Sequence, residues 1–243
     1  MIIYGHRGAA GEAPENTIAG CRHAIDRGVR HIEIDLQLSS DGQIVIVHDD
    51  NLRRTTGVSA RIKNCSAAEL KALDSRNSGP HWPNKKHTGV PTLAALLKAT
   101  PELKGIQLEI KAGGKRSNIA ILEELATLFP DRRAASGMVI TCSNAGVLKD
   151  ALAVVPWIDR GFVSTVAEPL QTLDNCQCSM LATQWGNCNP RLVRAAHRQN
   201  IHVSVWTVND ATLIKNLQRM KVDSVITDYP SMALPLLSAL QRS

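Results

Sequence analysis

Aromatic side chains are scarce in this chain: four Trp, two Tyr and two Phe make up 3% of its 243 residues. That leaves few stacking platforms and argues against a protein that grips single-stranded nucleic acid. Long apolar runs are missing too, and the longest falls far short of a bilayer span. No paired Cys-x-x-Cys spacing occurs among the cysteines at 21, 65, 142, 176, 178 and 188. Cys176, Cys178 and Cys188 form the only close group, and without the paired spacing of a zinc site they read as ordinary reduced thiols. No G-x-G-x-x-G follows the first apolar segment, which removes the fingerprint of a dinucleotide-binding sheet. No secretory leader fits before Ile2–Gly5, which runs straight into His6. A cytoplasmic protein is therefore expected.

What is present is ordinary in bulk: 44% hydrophobic and 21% charged residues, with a formal charge of +6. One large domain spanning 1–243 has enough chain to bury a sizeable core. The positive balance suits anionic ligands. Its Lys and Arg are scattered, with no cluster larger than pairs such as Lys85-Lys86 and Arg132-Arg133, so a solvated basic surface is expected in place of a nucleic-acid patch.

Short β-type runs at 2–5, 31–36, 106–110, 138–141, 158–163, 179–182, 202–206 and 224–227 alternate with helical stretches. In the stretch from Thr17 to Arg27, Ile18, Cys21 and Ile25 share a face, Asn16 or Thr17 can cap, and Gly28 stops the helix. Residues 116–129, 144–154, 190–199, 210–220 and 231–241 read similarly. This alternation predicts a closed α/β barrel, with a doubly wound open sheet as the competitor. Residues 50–90 break the rhythm with Gly57, Gly79, Pro80, Pro83 and Gly89, and only Ser66 to Leu73 looks helical there. They read as an insertion packed near one end of the barrel.

In the run His31 to Leu38, Ile32, Ile34, Leu36 and Leu38 alternate with Glu33, Asp35 and Gln37, so both carboxylates share one face of a strand. Ile106 to Lys111 repeats the parity, with Glu109 and Lys111 opposite Ile106, Leu108 and Ile110. Three carboxylates from two strands suit a hard divalent cation such as Mg2+ or Ca2+. His6 and His48 each close an apolar run beside a charged residue, Arg7 or Asp49, whereas His23, His31, His81, His87 and His197 have no such context. His202, at a strand start, reads as packed or exposed. Two imidazoles can deprotonate a nucleophile and protonate a departing alkoxide, and Arg7 and Lys111 supply charge for a phosphate. On residue types alone, phosphodiester cleavage and the plainer alternative of a solvated strand with packed histidines both stay open.

Taken together, the motifs resemble the glycerophosphodiester phosphodiesterase family. They run from His6-Arg7-Gly8 through Pro14-Glu15-Asn16-Thr17, Glu33-x-Asp35, His48-Asp49 and Leu52-x-Arg54-Thr55-Thr56-Gly57. Glu69-Leu70-x-x-Leu73-Asp74, Val90-Pro91-Thr92-Leu93 and Leu108-Glu109-Ile110-Lys111 follow. Trp206-Thr207-Val208-Asn209 and Val222-Asp223-x-Val225-Ile226-Thr227-Asp228-Tyr229-Pro230 complete the series. The resemblance implies a TIM (β/α)8 barrel with a small insertion after the second strand region. It implies one divalent cation on Glu33, Asp35 and Glu109, His6 and His48 as acid and base, and Arg7 and Lys111 on phosphate. Trp206 would line the glycerol side, with help from Trp185, while Glu15 would cap, orient or touch ligand. The implied reaction is hydrolysis of glycerophosphodiesters, such as deacylated phospholipids, to glycerol 3-phosphate and an alcohol. The alternatives are a related barrel lyase that stops at a cyclic phosphate and a noncatalytic barrel that binds the same molecules. The expected partner is this small substrate, with no nucleic acid and no membrane span; a homo-oligomer stays open. The chain departs from the family's pattern at Val58-Ser59, Ala94 and Lys221, departures that concern loop shape and substrate preference.

Overall fold

The computed structural model describes residues 1–77, 79–82, 87–166 and 168–240. Pro83, the Lys85-Lys86 pair and residue 241 of the expected last helix lie outside the described residues.

The chain begins with β1 (Ile2–His6), α1 (Ile18–Asp26), β2 (His31–Leu38) and β3 (Ile44–Ile46). Next come α2 (Arg53–Thr56), a 3-10 turn (Ile62–Asn64), α3 (Ala67–Ala72) and α4 (Leu93–Ala99). The regular alternation then sets in, with β4 (Gly105–Ile110), α5 (Lys115–Leu128), β5 (Met138–Cys142), α6 (Ala145–Val154) and β6 (Asp159–Ser164). After α7 (Leu170–Asn175) and β7 (Met180–Gln184) come a 3-10 turn (Trp185–Asn187), α8 (Pro190–His197), β8 (His202–Trp206), α9 (Ala211–Arg219), β9 (Ser224–Thr227) and α10 (Pro230–Leu240). Neighbouring strands run β1-β9-β8-β7-β6-β5-β4-β2, and β1 pairs with β2 to close the ring. These pairings are parallel, and only β3 lies antiparallel, against β2. The expected eight-stranded barrel is therefore present.

Alternation along β2 explains how the barrel is filled. Ile32, Ile34 and Leu36 are fully buried in the main core with residues of the surrounding helices. Each such side chain stabilises the fold by roughly 1.5–3 kcal/mol. The opposite parity turns Glu33 and Asp35 inward. Helix starts are fixed by side-chain caps: Thr17 accepts from the Gly20 amide, Asn189 from the Leu192 amide and Asp210 from the Leu213 amide.

The segment after β2 departs in detail from the expectation of one helix. Ser66 does start α3, with Glu69 closing a reciprocal capping box. A short α2 and the 3-10 turn Ile62–Asn64 precede it, and α4 and α7 were not anticipated either. These pieces span one or two turns, too short to show a helical period. Val45, Val47, Leu52, Ile62, Leu70 and Val90 form a small core of their own beside β2. That core carries the chain from β3 over the barrel mouth. All six cysteines are free thiols, four of them buried. Among the described residues no helix is long and apolar enough to cross a membrane.

Candidate active site

The ends of β1, β2, β4 and β8 and the segment after β3 meet at the C-terminal mouth of the barrel, where TIM-barrel sites form. A cavity of about 170 Å³ there is lined by His6, Arg7, Glu33, His48, Glu109 and Lys111, with Val163, Ala182, Trp206 and Ile226 among its apolar walls. Eight of the nine residues singled out in the sequence converge on this point, counting Asp35, which lies behind Arg7 and Lys111. Trp185 does not line this cavity; it stands beyond β7 and is 52% exposed. The indole of Trp206 is held by its N–H donating to the Ala182 carbonyl at 3.0 Å.

The turn after β1 needs its residue types. Arg7 adopts a left-handed conformation, φ 49°, and Gly8 follows at φ 88°. A side chain on Gly8 would meet the Cys21 backbone nitrogen at 2.9 Å, so the turn presses onto the start of α1. This bend aims the Arg7 amide at Glu33 Oε2, 3.3 Å away. The Pro-Glu-Asn-Thr motif divides its work. Thr17 caps α1. Asn16 clasps Asp35, donating from Nδ2 to Oδ2 at 2.7 Å and accepting from the Asp35 amide. Glu15 accepts from Arg7 at 2.9 Å and takes both terminal nitrogens of Arg54 at 2.6 and 2.8 Å.

Each of the two candidate proton-transfer histidines is oriented by a carboxylate. His6 Nδ1 lies 2.5 Å from Asp228 Oδ1, and His48 Nδ1 lies 2.7 Å from Asp49 Oδ1. An ionised carboxylate only accepts, so Nδ1 carries the hydrogen in both rings and Nε2 is left for chemistry. His6 Nε2 stands 3.8 Å from Glu33 Oε2. Burial works against the charged imidazolium of His6, but Asp228 and Glu33 outweigh it and raise its pKa. Asp49 is steadied in turn by Arg54 Nε at 2.6 Å. Burial alone would raise the Asp49 pKa, yet its bonds to Arg54 and His48 hold it down at about 2. Gln37, the third inward residue of β2, donates to the carbonyls of Val47, His48 and Asp49, which pins the backbone beneath His48.

The acidic cluster is crowded. Lys111 Nζ bridges Asp35 Oδ1 at 2.8 Å and Glu109 Oε1 at 2.7 Å. Lys111 and Arg7 overcome the burial penalty on Asp35 and lower its pKa. Glu33 has no comparable relief: burial, with repulsion from Asp35, pushes its carboxyl up to about 8. Its Oε1 is buried without a hydrogen-bond partner. Glu33, Asp35 and Glu109 offer oxygens within 4.8 Å of one another. An all-carboxylate set with one orphaned buried oxygen fits a hard divalent cation.

This cost has a sign that can be checked. Between the ordinary glutamate value of 4.5 and about 8, the native metal-free protein keeps a proton on Glu33 that the unfolded chain has lost. Its stability must therefore fall as pH rises through that window. Glu33→Gln is expected to flatten this decline, so that in chelator the variant unfolds at a higher temperature than wild type near the upper end of the window. Thermal unfolding at several pH values checks it; identical pH profiles for the two proteins would refute it.

Sequence reasoning missed the orienting roles of Asp228, Arg54 and Asn16. Asp228 and Arg54 lie in motifs visible in the chain, but their partners are 222 and 39 positions away. Asp49, adjacent to His48, was the one orienting group with a local signal.

Comparison with known proteins agrees with this geometry. The pattern of the Glycerophosphoryl diester phosphodiesterase family matches residues 6–232. Over 240 residues the chain is 29% identical to the protein YhdW of Bacillus subtilis (strain 168), covering 96% of this chain and 97% of that one. It is 26% identical to a glycerophosphodiester phosphodiesterase of Caldanaerobacter subterraneus subsp. tengcongensis, covering 97% of each chain. A solved phosphodiesterase of Oleispira antarctica, in complex with the product sn-glycerol-3-phosphate, superposes with a TM-score of 0.87 at 26% identity, covering 98% of this chain and 97% of the other.

Proposed function

The chain belongs to the glycerophosphoryl diester phosphodiesterase family, and from that premise we propose that it hydrolyses glycerophosphodiesters to glycerol 3-phosphate and an alcohol, with His6 and His48 as its acid–base pair. One observation supports this assignment above the rest: two imidazoles, each with Nδ1 tied to a carboxylate, line the same cavity as Arg7, Lys111 and the acidic cluster. A noncatalytic binding barrel has no use for two oriented proton carriers.

Glu33, Asp35 and Glu109 would hold one divalent cation, Mg2+ or Ca2+, which when bound would neutralise phosphate charge and help fix the phosphate in place. The chain's own groups do the remaining work. Lys111 spends two of its three donors on Asp35 and Glu109, which leaves one for a phosphate oxygen. Arg7 holds its guanidinium between Glu15 and Asp35 and also lines the cavity. One histidine takes the proton of the attacking hydroxyl at Nε2, and the other gives its proton to the departing alkoxide. The apolar face of Trp206 covers the glycerol carbons, while Trp185, exposed beyond β7 and outside the cavity, takes no part in this scheme.

A panel of glycerophosphodiesters, incubated with and without chelator and assayed for glycerol 3-phosphate, tests the reaction and the metal together. Glycerol 3-phosphate should appear, fall away on chelation and return with Mg2+ or Ca2+. Accumulation of a cyclic phosphate as the final product would identify a lyase, and full activity in a thoroughly metal-free sample would remove the cation from the scheme.

A further inference from the structure

A second cavity, of about 400 Å³, adjoins the first, and His48 and Lys111 line both. It lies over the ends of β2 and β4, between the segment that follows β3 and the start of α5. Beside its charged groups the first has an apolar wall of Val163, Ala182, Trp206 and Ile226, a surface suited to a short carbon skeleton. The second sets the charged residues Asp50, Arg61 and Lys63 beside Leu38, Ala112 and Ile121.

The placement of those cations follows from the sequence. Ile62 is 1% exposed and plugs the small core beside β2. Its neighbours on the 3-10 turn are forced outward, and both Arg61 and Lys63 are exposed. Arg61 is also held by a bridge to Asn51, close in sequence to His48 and Asp49. Among the described residues, neither the Arg61 guanidinium nor the Lys63 ammonium has an ion-pair or hydrogen-bond partner, and the Asp50 carboxylate has none either. Elsewhere around the mouth, the cations Arg7, Arg54 and Lys111 are all bound to carboxylates.

A phosphodiester has two arms. With the glycerol arm against the apolar wall of the first cavity and the phosphate beside His48 and Lys111, the other arm points toward the second cavity, which shares those two residues. We propose that this second cavity receives the leaving headgroup, and that Arg61 and Lys63 favour a headgroup bearing a carboxylate over a purely cationic one. An amino-acid headgroup such as serine also brings an ammonium, for which Asp50 is the available acceptor. The inference rests on the reaction proposed above and adds a basis for choosing among its substrates.

The test compares kcat/KM for glycerophosphoserine and glycerophosphocholine in the wild type, in the Arg61→Ala/Lys63→Ala double variant and in the Arg61→Glu/Lys63→Glu reversal. The serine-to-choline ratio is expected to fall about tenfold in the alanine variant, the scale of two exposed ion pairs. It should fall further in the reversal. In the wild type the ratio should decline as salt is raised, because the attraction is screened, and the alanine variant should lose that salt dependence. A single Lys63→Gln variant, exposed and conservative, carries the same comparison if the double variants fold poorly. A ratio unmoved by these changes, with both substrates still cleaved, overturns the headgroup site and leaves the reaction standing. Release of glycerol 3-phosphate from neither substrate by the wild type overturns the reaction and the headgroup site with it.

Discussion

Alanine at His6 or at His48 is expected to lower turnover by roughly two to four orders of magnitude, the usual contribution of a general acid or base. Substrate affinity should change much less, because Arg7, Lys111 and the acidic cluster remain. The expectation rests on the two hydrogen bonds at Nδ1, which fix each ring so that only Nε2 is free. It extends to the anchors. Asp228→Asn keeps the shape but can donate a hydrogen to Nδ1, which favours the tautomer with its proton on Nε2. That variant should lose kcat with little change in KM, and its pH–rate profile should shift along with the His6 titration. Steady-state kinetics on folded, metal-loaded protein measure all of this. Near-wild-type turnover in either alanine variant would return that histidine to a packing role.

Removing the hydroxyl next to the phosphorylated glycerol carbon is expected to be equally damaging. With the phosphate held by Arg7 and Lys111, that hydroxyl can attack phosphorus, close a five-membered cyclic phosphate and expel the headgroup alcohol. Water then opens the ring with the histidine roles exchanged. An intramolecular nucleophile is already in place, and such groups reach effective molarities of about 10⁵ M and above. A propanediol analogue without the hydroxyl should therefore bind but react at least about a thousandfold more slowly. Equal cleavage of the analogue and the natural substrate would show direct attack by water. The cyclic route also agrees with the proposed seating of glycerol against the apolar wall, since recognition of glycerol would then become part of the chemistry.

The barrel was legible in its rhythm of short apolar runs and helical stretches, and the acidic cluster in strict alternation. In β2 and β4 a period of two sent Glu33, Asp35 and Glu109 to the face opposite the isoleucines and leucines. Strand β3 spans only Ile44–Ile46 and pairs along one edge of β2. Three residues hold too little pattern to separate a strand from an apolar loop. The helices α2, α4 and α7 are likewise four to seven residues long. At the site, residue types betrayed the groups that carry charge or protons but not those that aim them. Asn16 looked like a helix cap, since Asn caps helices well; its left-handed backbone and its clasp on Asp35 exist only once β2 is beside it. Arg54 stood in the sequence only as one member of a motif, and the fold is what sets it between Asp49 and Glu15.

The clasp between His6 and Asp228 joins the first strand of the barrel to the turn after the last, and β1 pairs directly with β9. A chain that is still being made holds His6 from the outset yet has nothing to aim it with until residue 228 has emerged. On the roles proposed above, competence should arrive only once the final strand is seated. Fragments ending before Asp228 should then be inactive, which makes the appearance of activity a built-in report that the ring has closed.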